Sequence, residues 1–414
     1  MTFSRRNFLK KSLVISGTAL LAPKSLSAAN KPAKNLLNAK KILFLGDSIT
    51  QQGHYVNWIE AYLRIHYPMA GREIINLGLS SETASGLSEP THPFPRPGIH
   101  SRLDTIIDYV QPDLTVAGYG INDAIYHPLS ESRFKAYQEG ILKLSEKIKA
   151  SGSELILLTP APYTAPIQDP NSFQGEYGYA SPYVYYDEVM KVYAEWLKIQ
   201  NSANFQVIDI QPALRKYQQV CYGNDFIHPN QYGHYLMAST ILNKAGFDTA
   251  PQVNTFNCDD QKNLDFYTNY KPIVKPMPSR DVNFNTNILD QWNQQQLKFE
   301  NLENSVYQVY QDFKLMHQFQ NRENVQLLNI HPNTFSSNYR WLDQYQKGEK
   351  IMAILNSKHE NFDFALMHHL GHERPFGKTA LPLSEAIKFK NELETKITGL
   401  LSENSQQWNL ILIP

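Results

Sequence analysis

A chain of 414 residues, 42% hydrophobic and 12% aromatic, exceeds the usual single-domain size and can fill a sizeable core, so two structural units are expected. Its 39 basic and 39 acidic residues cancel, but Arg5, Arg6, Lys10, Lys11 and Lys24 meet no acid in the first 29 positions; without them 34 bases face 39 acids. A mildly acidic body excludes nucleic acid and anionic membrane surfaces as favoured partners. No run in the remainder is apolar enough to span a bilayer stably.

The chain opens on an export pattern. Ser4-Arg5-Arg6-Asn7-Phe8-Leu9-Lys10 resembles the twin-arginine consensus. A short apolar stretch from Leu13 to Ala22 follows, then the small residues Ser27-Ala28-Ala29 that a signal peptidase needs. Residues 1–29 are therefore read as a signal peptide that engages the twin-arginine machinery. The expected destination is the periplasm or the exterior.

From Lys41 to about Ala250 short apolar runs alternate with longer amphipathic stretches. Strands are predicted at Lys41–Leu45, Glu73–Leu77, Leu114–Ala117, Glu154–Thr159 and Phe205–Ile210, rich in Ile, Leu and Val as doubly covered strands should be. Helices are predicted at Tyr55–His66, Arg102–Val110, Glu131–Ala150, Tyr183–Ile199 and Asn230–Asn243. In the third of these, Phe134, Tyr137, Ile141, Leu144 and Ile148 recur at three and four, which makes one apolar stripe. The alternation predicts a three-layer α/β/α domain over 36–250 with a parallel sheet, whose ligands bind beyond the carboxyl ends of the strands. Two long connections interrupt it: Ser85–Ile99, with Pro90, Pro93, Pro95 and Pro97, and Thr159–Pro182, with Pro160, Pro162, Pro166 and Pro170. Such loops often wall or cover a site.

Past Gln252 the chain becomes rich in Asn and Gln, and 253–414 is expected to be a mainly helical extension. Ser384–Leu401, with Ala386, Phe389, Leu393, Ile397 and Leu400 on one face, is its clearest helix. Val325–Ile330, Ile351–Leu355 and Leu410–Ile413 read equally as strands or packing segments. Cys221 and Cys258, the two cysteines of the chain, either pair in an oxidising compartment or remain buried thiols.

Four segments carry chemistry: Gly46-Asp47-Ser48-Ile49-Thr50, Asn76-Leu77-Gly78, Gly120-Ile121-Asn122-Asp123 and Asp225-Phe226-Ile227-His228. Three of them follow predicted strands. Ser48 is the candidate nucleophile, and His228 the base that takes its proton and returns it to a leaving alcohol. Asp225, three residues earlier, is placed to hold the imidazole in the right tautomer. The amides of Ser48 and Gly78 and the side chain of Asn122 are the candidate oxyanion donors. Together they make a kit for acyl transfer.

On these residues the chain resembles the SGNH hydrolases of the GDSL esterase/lipase family, whose four named residues are matched by Ser48, Gly78, Asn122 and His228. The match runs from about Lys40 to Asn243, and Asp225-Phe226-Ile227-His228-Pro229-Asn230 with Gly233-His234 is especially close. Ile49 stands where the older four-letter name has Leu. The resemblance implies a flavodoxin-like α/β/α fold, a flat exposed site, no metal and no cofactor. The expected function is a serine esterase acting on a small-molecule or polysaccharide ester, acetyl esters on carbohydrate foremost, since export, aromatic loops and the lack of a strongly apolar channel favour sugar esters over long-chain lipids. An O-acetyltransferase, a lipase or lysophospholipase, and a glycan- or partner-binding module are the competing readings. His368, His369, His372 and Glu373 are read as a polar turn rather than a metal site, because no second group of ligands is spaced to complete one. Tyr163, Tyr177, Tyr179, Tyr183, Tyr185 and Tyr186 serve either as stacking platforms for sugar rings or as packing for the helix that follows.

Overall fold

In the computed structural model the described residues are 34–166, 175–201, 205–247, 252–259, 263–269, 271–272, 295–329, 343–372, 378–402 and 405–413. The segment 1–29 read as an export signal and Glu373 lie outside them. The described residues divide into two compact units, one within Met1–Gly53, Gly71–Gly246 and Leu370–Gly377, the other within His54–Ala70, Phe247–His369 and Lys378–Pro414.

The first unit is built on five parallel strands: β1 (Lys41–Gly46), β2 (Glu73–Asn76), β3 (Leu114–Gly118), β4 (Glu154–Leu158) and β5 (Gln206–Ile208). Their order is β2-β1-β3-β4-β5, with Leu43 in register with Ile75 on one side and Thr115 on the other. Ile42, Leu43, Phe44 and Leu45 are all at 0% exposure. Side chains alternate between faces along a strand, so both faces of β1 are covered. The strand order reverses direction at β1, and the crevice this opens between β1 and β3 is where such sheets bind ligands. Strand β5 is shorter than its apolar run predicts. The Ile210 amide leaves the ladder for the Thr159 hydroxyl and the Gln211 amide for the Asp209 carboxylate.

The helices are α1 (Lys34–Asn38), α2 (Ser48–Gln51), α3 (His54–His66), α4 (Leu103–Val110), α5 (Glu131–Ala150), α6 (Tyr186–Ile199), α7 (Gln211–Lys216), α8 (Gln218–Cys221) and α9 (Gln231–Lys244); α3, α4, α5, α6 and α9 answer to the five predicted ones, and the other four are short additions. Of these, α3 is counted with the second unit. On α5 the whole predicted stripe, Phe134 through Ile148, is buried. Helix α6 starts three residues late, since Pro182 precedes it and the Tyr183 amide donates to the Tyr126 carbonyl instead. Helix α9 starts where Asn230 caps it, its side chain accepting from the Tyr232 and Gly233 amides. Such a cap contributes about 1 kcal/mol.

The second unit corrects the expectation of a mainly helical extension. Beside α10 (Asp343–Lys358), α11 (Phe364–His369) and α12 (Leu383–Ser402) stand the strands β6 (Gln252–Asn257), β7 (Asn263–Asn269), β8 (Gln295–Glu300), β9 (Val306–Gln311), β10 (Lys314–Gln320), β11 (Val325–Asn329) and β12 (Ser405–Ile413). They form an antiparallel sheet, β10-β9-β12-β7, and a mixed one, β11-β8-β6. Phe266, Leu297, Phe299, Tyr307, Val309, Met316 and Trp408 share one core. In β9 a glutamine stands on the buried face and Val306 and Tyr310 on the other, so polarity does not follow the period of two. In β9, Tyr307, Val309 and Gln311 are buried while Val306, Gln308 and Tyr310 between them are not. The open apolar runs resolve as β11, the end of β12 and, for Ile351–Leu355, the middle of α10. Within this unit the Glu60 carboxylate of α3 takes Lys358 at 2.7 Å and Arg64 at 2.6 Å, and Arg64 reaches Glu394 at 2.7 Å. Cys221 and Cys258 are free, buried thiols, and burial pushes Cys221 up to about 12.

Candidate active site

Ser48 opens α2 directly after β1. Asp47 caps the turn, its carboxylate accepting the Ile49 amide at 3.0 Å. The Ser48 amide lies in the first turn of a helix, where no intrahelical acceptor exists for it. The Ser48 Oγ is 2.8 Å from Nε2 of His228, and Nδ1 of that ring is 2.8 Å from Oδ2 of Asp225. Residues separated by 180 positions therefore meet as one hydroxyl–imidazole–carboxylate line.

The loop that brings the imidazole in is fastened from several sides. Asp225 Oδ1 accepts the amides of both Ile227 and His228 at 2.9 Å, so one carboxylate folds the loop and orients the ring. The Phe226 carbonyl accepts the Thr164 amide at 2.9 Å. Asn230 Nδ2 donates to the Val220 carbonyl at 2.7 Å. His234, fully buried on α9, meets the Gln52 side chain at 2.9 Å and so ties the base's helix to the end of the nucleophile's helix. Burial pushes the Asp225 carboxyl upward, but the two amides and the ring outweigh it and hold its pKa below the ordinary aspartate value. It remains an anion facing the ring.

Gly78 and Asn122 lie just past the carboxyl ends of β2 and β3, the two neighbours of β1. A Cβ on Gly78 would come within 2.5 Å of the Gln51 amide nitrogen and 2.8 Å of the Thr50 carbonyl carbon, so only glycine lets this strand end lie against α2. The Gly78 N–H already donates to Asn76 Oδ1 at 3.0 Å, and Asn76 Nδ2 donates to the Thr50 carbonyl at 2.7 Å. An oxyanion using that amide would share it with Asn76. Asn122 is buried, its Nδ2 donating to the Glu82 carbonyl at 3.3 Å and its Oδ1 accepting the Tyr126 hydroxyl at 3.1 Å. Gly120 supplies the turn before it at φ 135°, with Pro160 against its open side.

Behind Gly78 and Asn122 lies a set of buried ionisable groups, of which Glu82, Arg102, Glu89 and Arg96 belong to no motif. Glu82 grips Arg102 in a two-pronged pair at 2.6 Å and accepts the Tyr119 hydroxyl at 2.7 Å, while Arg102 also donates to the Leu77 carbonyl at 2.7 Å. Burial, reinforced by Asp123 and Glu82, raises Asp47 to about 7 against the pull of the Ile49 amide and Arg96. Burial raises Asp123 to about 6, although the amides of Ser85 and Ala84 oppose it. The proline-rich connection 85–99 is pinned by a buried pair, Glu89 with Arg96 at 2.6 Å, and Glu89 also takes the Tyr179 amide at 3.1 Å. Of the six tyrosines singled out, Tyr163 and Tyr186 are buried and Tyr179 is 47% exposed; Tyr177, Tyr183 and Tyr185 are half-buried. His368 and His369 end α11, and His372 lies in a segment of the first unit.

Known proteins resemble the part of the chain that carries this site. The model of the GDSL-like lipase/acylhydrolase family matches residues 44–236. The chain is 24% identical over 237 residues to an acetylxylan esterase of Geobacillus stearothermophilus, covering 51% of this chain and 96% of that protein. Among solved structures it resembles a gut microbial diltiazem-metabolizing enzyme, with TM-score 0.65, 17% identity, 90% of this chain covered and 98% of that one. Residues 44–236 thus resemble the GDSL-like lipase/acylhydrolase family, and the chain is a carboxylic ester hydrolase.

Proposed function

We propose that this hydrolase is a serine esterase that removes short acyl groups, acetyl foremost, from carbohydrate through an acyl-enzyme. The observation that carries the proposal is the line from Ser48 Oγ through His228 to Asp225, with 2.8 Å at each step. As the Ser48 Oγ attacks the ester carbonyl, Nε2 of His228 takes its proton, and Asp225 stabilises the imidazolium. The Ser48 amide and Asn122 Nδ2 bind the developing oxyanion, and Gly78 assists by sharing its amide with Asn76. Collapse of the intermediate breaks the bond to the alcohol, which leaves with the proton from His228. Water then adds by the same route, its proton passing to His228 and on to the departing Ser48 oxygen.

The preference for sugar acetates rests on the acetylxylan esterase relative and on Tyr177, Tyr179, Tyr183 and Tyr185, whose partly open rings suit stacking on sugars. The same groups would serve an O-acetyltransferase, with a sugar hydroxyl in place of water. Export through the twin-arginine route to the periplasm or beyond is part of the proposal, on the strength of Arg5, Arg6 and the stretch behind them. Hydrolysis of p-nitrophenyl esters of rising acyl length, then of acetylated xylo-oligosaccharides with and without an acceptor sugar, tests the substrate reading. Acetate release that does not depend on the acceptor supports it. Transfer to the acceptor favours the transferase, and a preference for long acyl chains rules out the short-acyl reading.

A further inference from the structure

We infer that Tyr126 is a positioning residue for the oxyanion side of the site: its hydroxyl holds the Asn122 carboxamide so that Nδ2 faces the developing negative charge. The inference rests on Asn122 being an oxyanion donor. The amide's orientation follows from its neighbours. The Glu82 backbone carbonyl can only accept a hydrogen bond, so the group facing it at 3.3 Å is Nδ2, and the group facing Tyr126 is Oδ1. Nδ2 carries two protons; one points to Glu82, which leaves the other for a ligand. Without the Tyr126 hydroxyl, Oδ1 would lose the donor that keeps the carboxamide from turning over.

The backbone is bent out of its ordinary range to deliver that hydroxyl. Ile125 has φ 48° and Tyr126 φ 58°. Left-handed angles in two successive residues with side chains, one of them β-branched, are costly and persist only where surrounding structure enforces them. Here it does. The Tyr126 ring is 1% exposed and stacks on Tyr186 at 4.8 Å between centroids. The Arg96 guanidinium lies 5.4 Å over it, and Tyr179 meets it edge-on at 5.7 Å. The Tyr126 carbonyl accepts the Tyr183 amide at 2.8 Å. Burial and the neighbouring Tyr186 keep the hydroxyl protonated, hence a donor. Through Arg96 and Glu89 the same ring is tied to the proline-rich connection 85–99.

The test is a double-mutant cycle on the full chain, with p-nitrophenyl acetate as probe and rates expressed per mole of folded enzyme. Tyr126→Phe keeps the ring and its packing and removes one oxygen. It should lower kcat/KM about tenfold, less than loss of a donor itself, and change it less than about twofold in an Asn122→Ala background, because sites that act as a unit are not additive. Asn122→Asp replaces the alanine variant if the latter does not fold. An equal drop in both backgrounds, or none in the parent, overturns the inference while leaving the esterase proposal intact. Unchanged activity of the Asn122 variant overturns the inference together with Asn122's role as an oxyanion donor.

Discussion

The proposed base and the proposed oxyanion donors of this site are held in opposite ways. Asp225 and His228 sit three residues apart on one surface loop, the carboxylate side chain 55% exposed, and they organise each other through a single carboxylate. Asn122 is buried and bonds Tyr126 on its own connection and Glu82 on the connection after β2, where Glu82 is locked to Arg102 out of reach of water. A local, solvated arrangement tolerates the reordering of one group, because water replaces what is lost. A buried network does not, since an orphaned group there keeps its full desolvation cost.

That contrast can be broken at four points, in order of decreasing effect. Asp225→Asn should lower kcat on p-nitrophenyl acetate by on the order of 10³- to 10⁴-fold with little change in melting temperature, because tautomer control is lost while the loop remains solvated. A drop under tenfold would mean that Asp225 only folds the loop. Asn122→Ala should lower kcat by about 10²- to 10³-fold, the usual loss for one oxyanion donor. Glu82→Ala reverses the pattern: Arg102 is left as an uncompensated buried charge, and denaturant unfolding should show about 3–5 kcal/mol of lost stability. A loss below 1 kcal/mol would show that this side is not held by its ion pair.

The smallest effect concerns pH. Unfolded, Asp47 ionises near its ordinary value of 3.8; folded, it keeps its proton up to about 7. The folded state thus binds the extra proton between those values, and the contribution of Asp47 to stability falls as pH rises through that window, by at most on the order of 4 kcal/mol. Asp47→Asn retains an oxygen for the Ile49 amide and cannot ionise. Its melting temperature relative to the parent should rise from pH 4 to pH 7 and then level off, and a difference independent of pH would show that Asp47 is not a buried acid.

The same contrast decides what was legible in the sequence. Strands β1 to β4 were readable from unbroken apolar runs, Ser48 from its place after the first of them, and Asp225 and His228 from their three-residue spacing before a predicted helix. Glu82, Arg102 and Tyr126 carried no such signal, because they act through contacts that only the fold makes, up to 40 residues apart in the chain. Only burial marks them, and burial is not written in spacing. Gly78 was noticed for its amide, whereas the structure gives its missing side chain a second reason, the close approach of α2. In the second unit β9 escaped because glutamine stands on both of its faces, and of β12 only the apolar end, Leu410–Ile413, was open to a strand reading.

The most direct test of the central claim is to treat the full chain with a fluorophosphonate and locate the adduct by peptide mass spectrometry. The 2.8 Å Ser48–His228 contact predicts one adduct, on Ser48, forming in step with loss of esterase activity and far more slowly in His228→Ala. Complete loss of activity with Ser48 unlabelled, or a labelling rate indifferent to His228, would contradict the account.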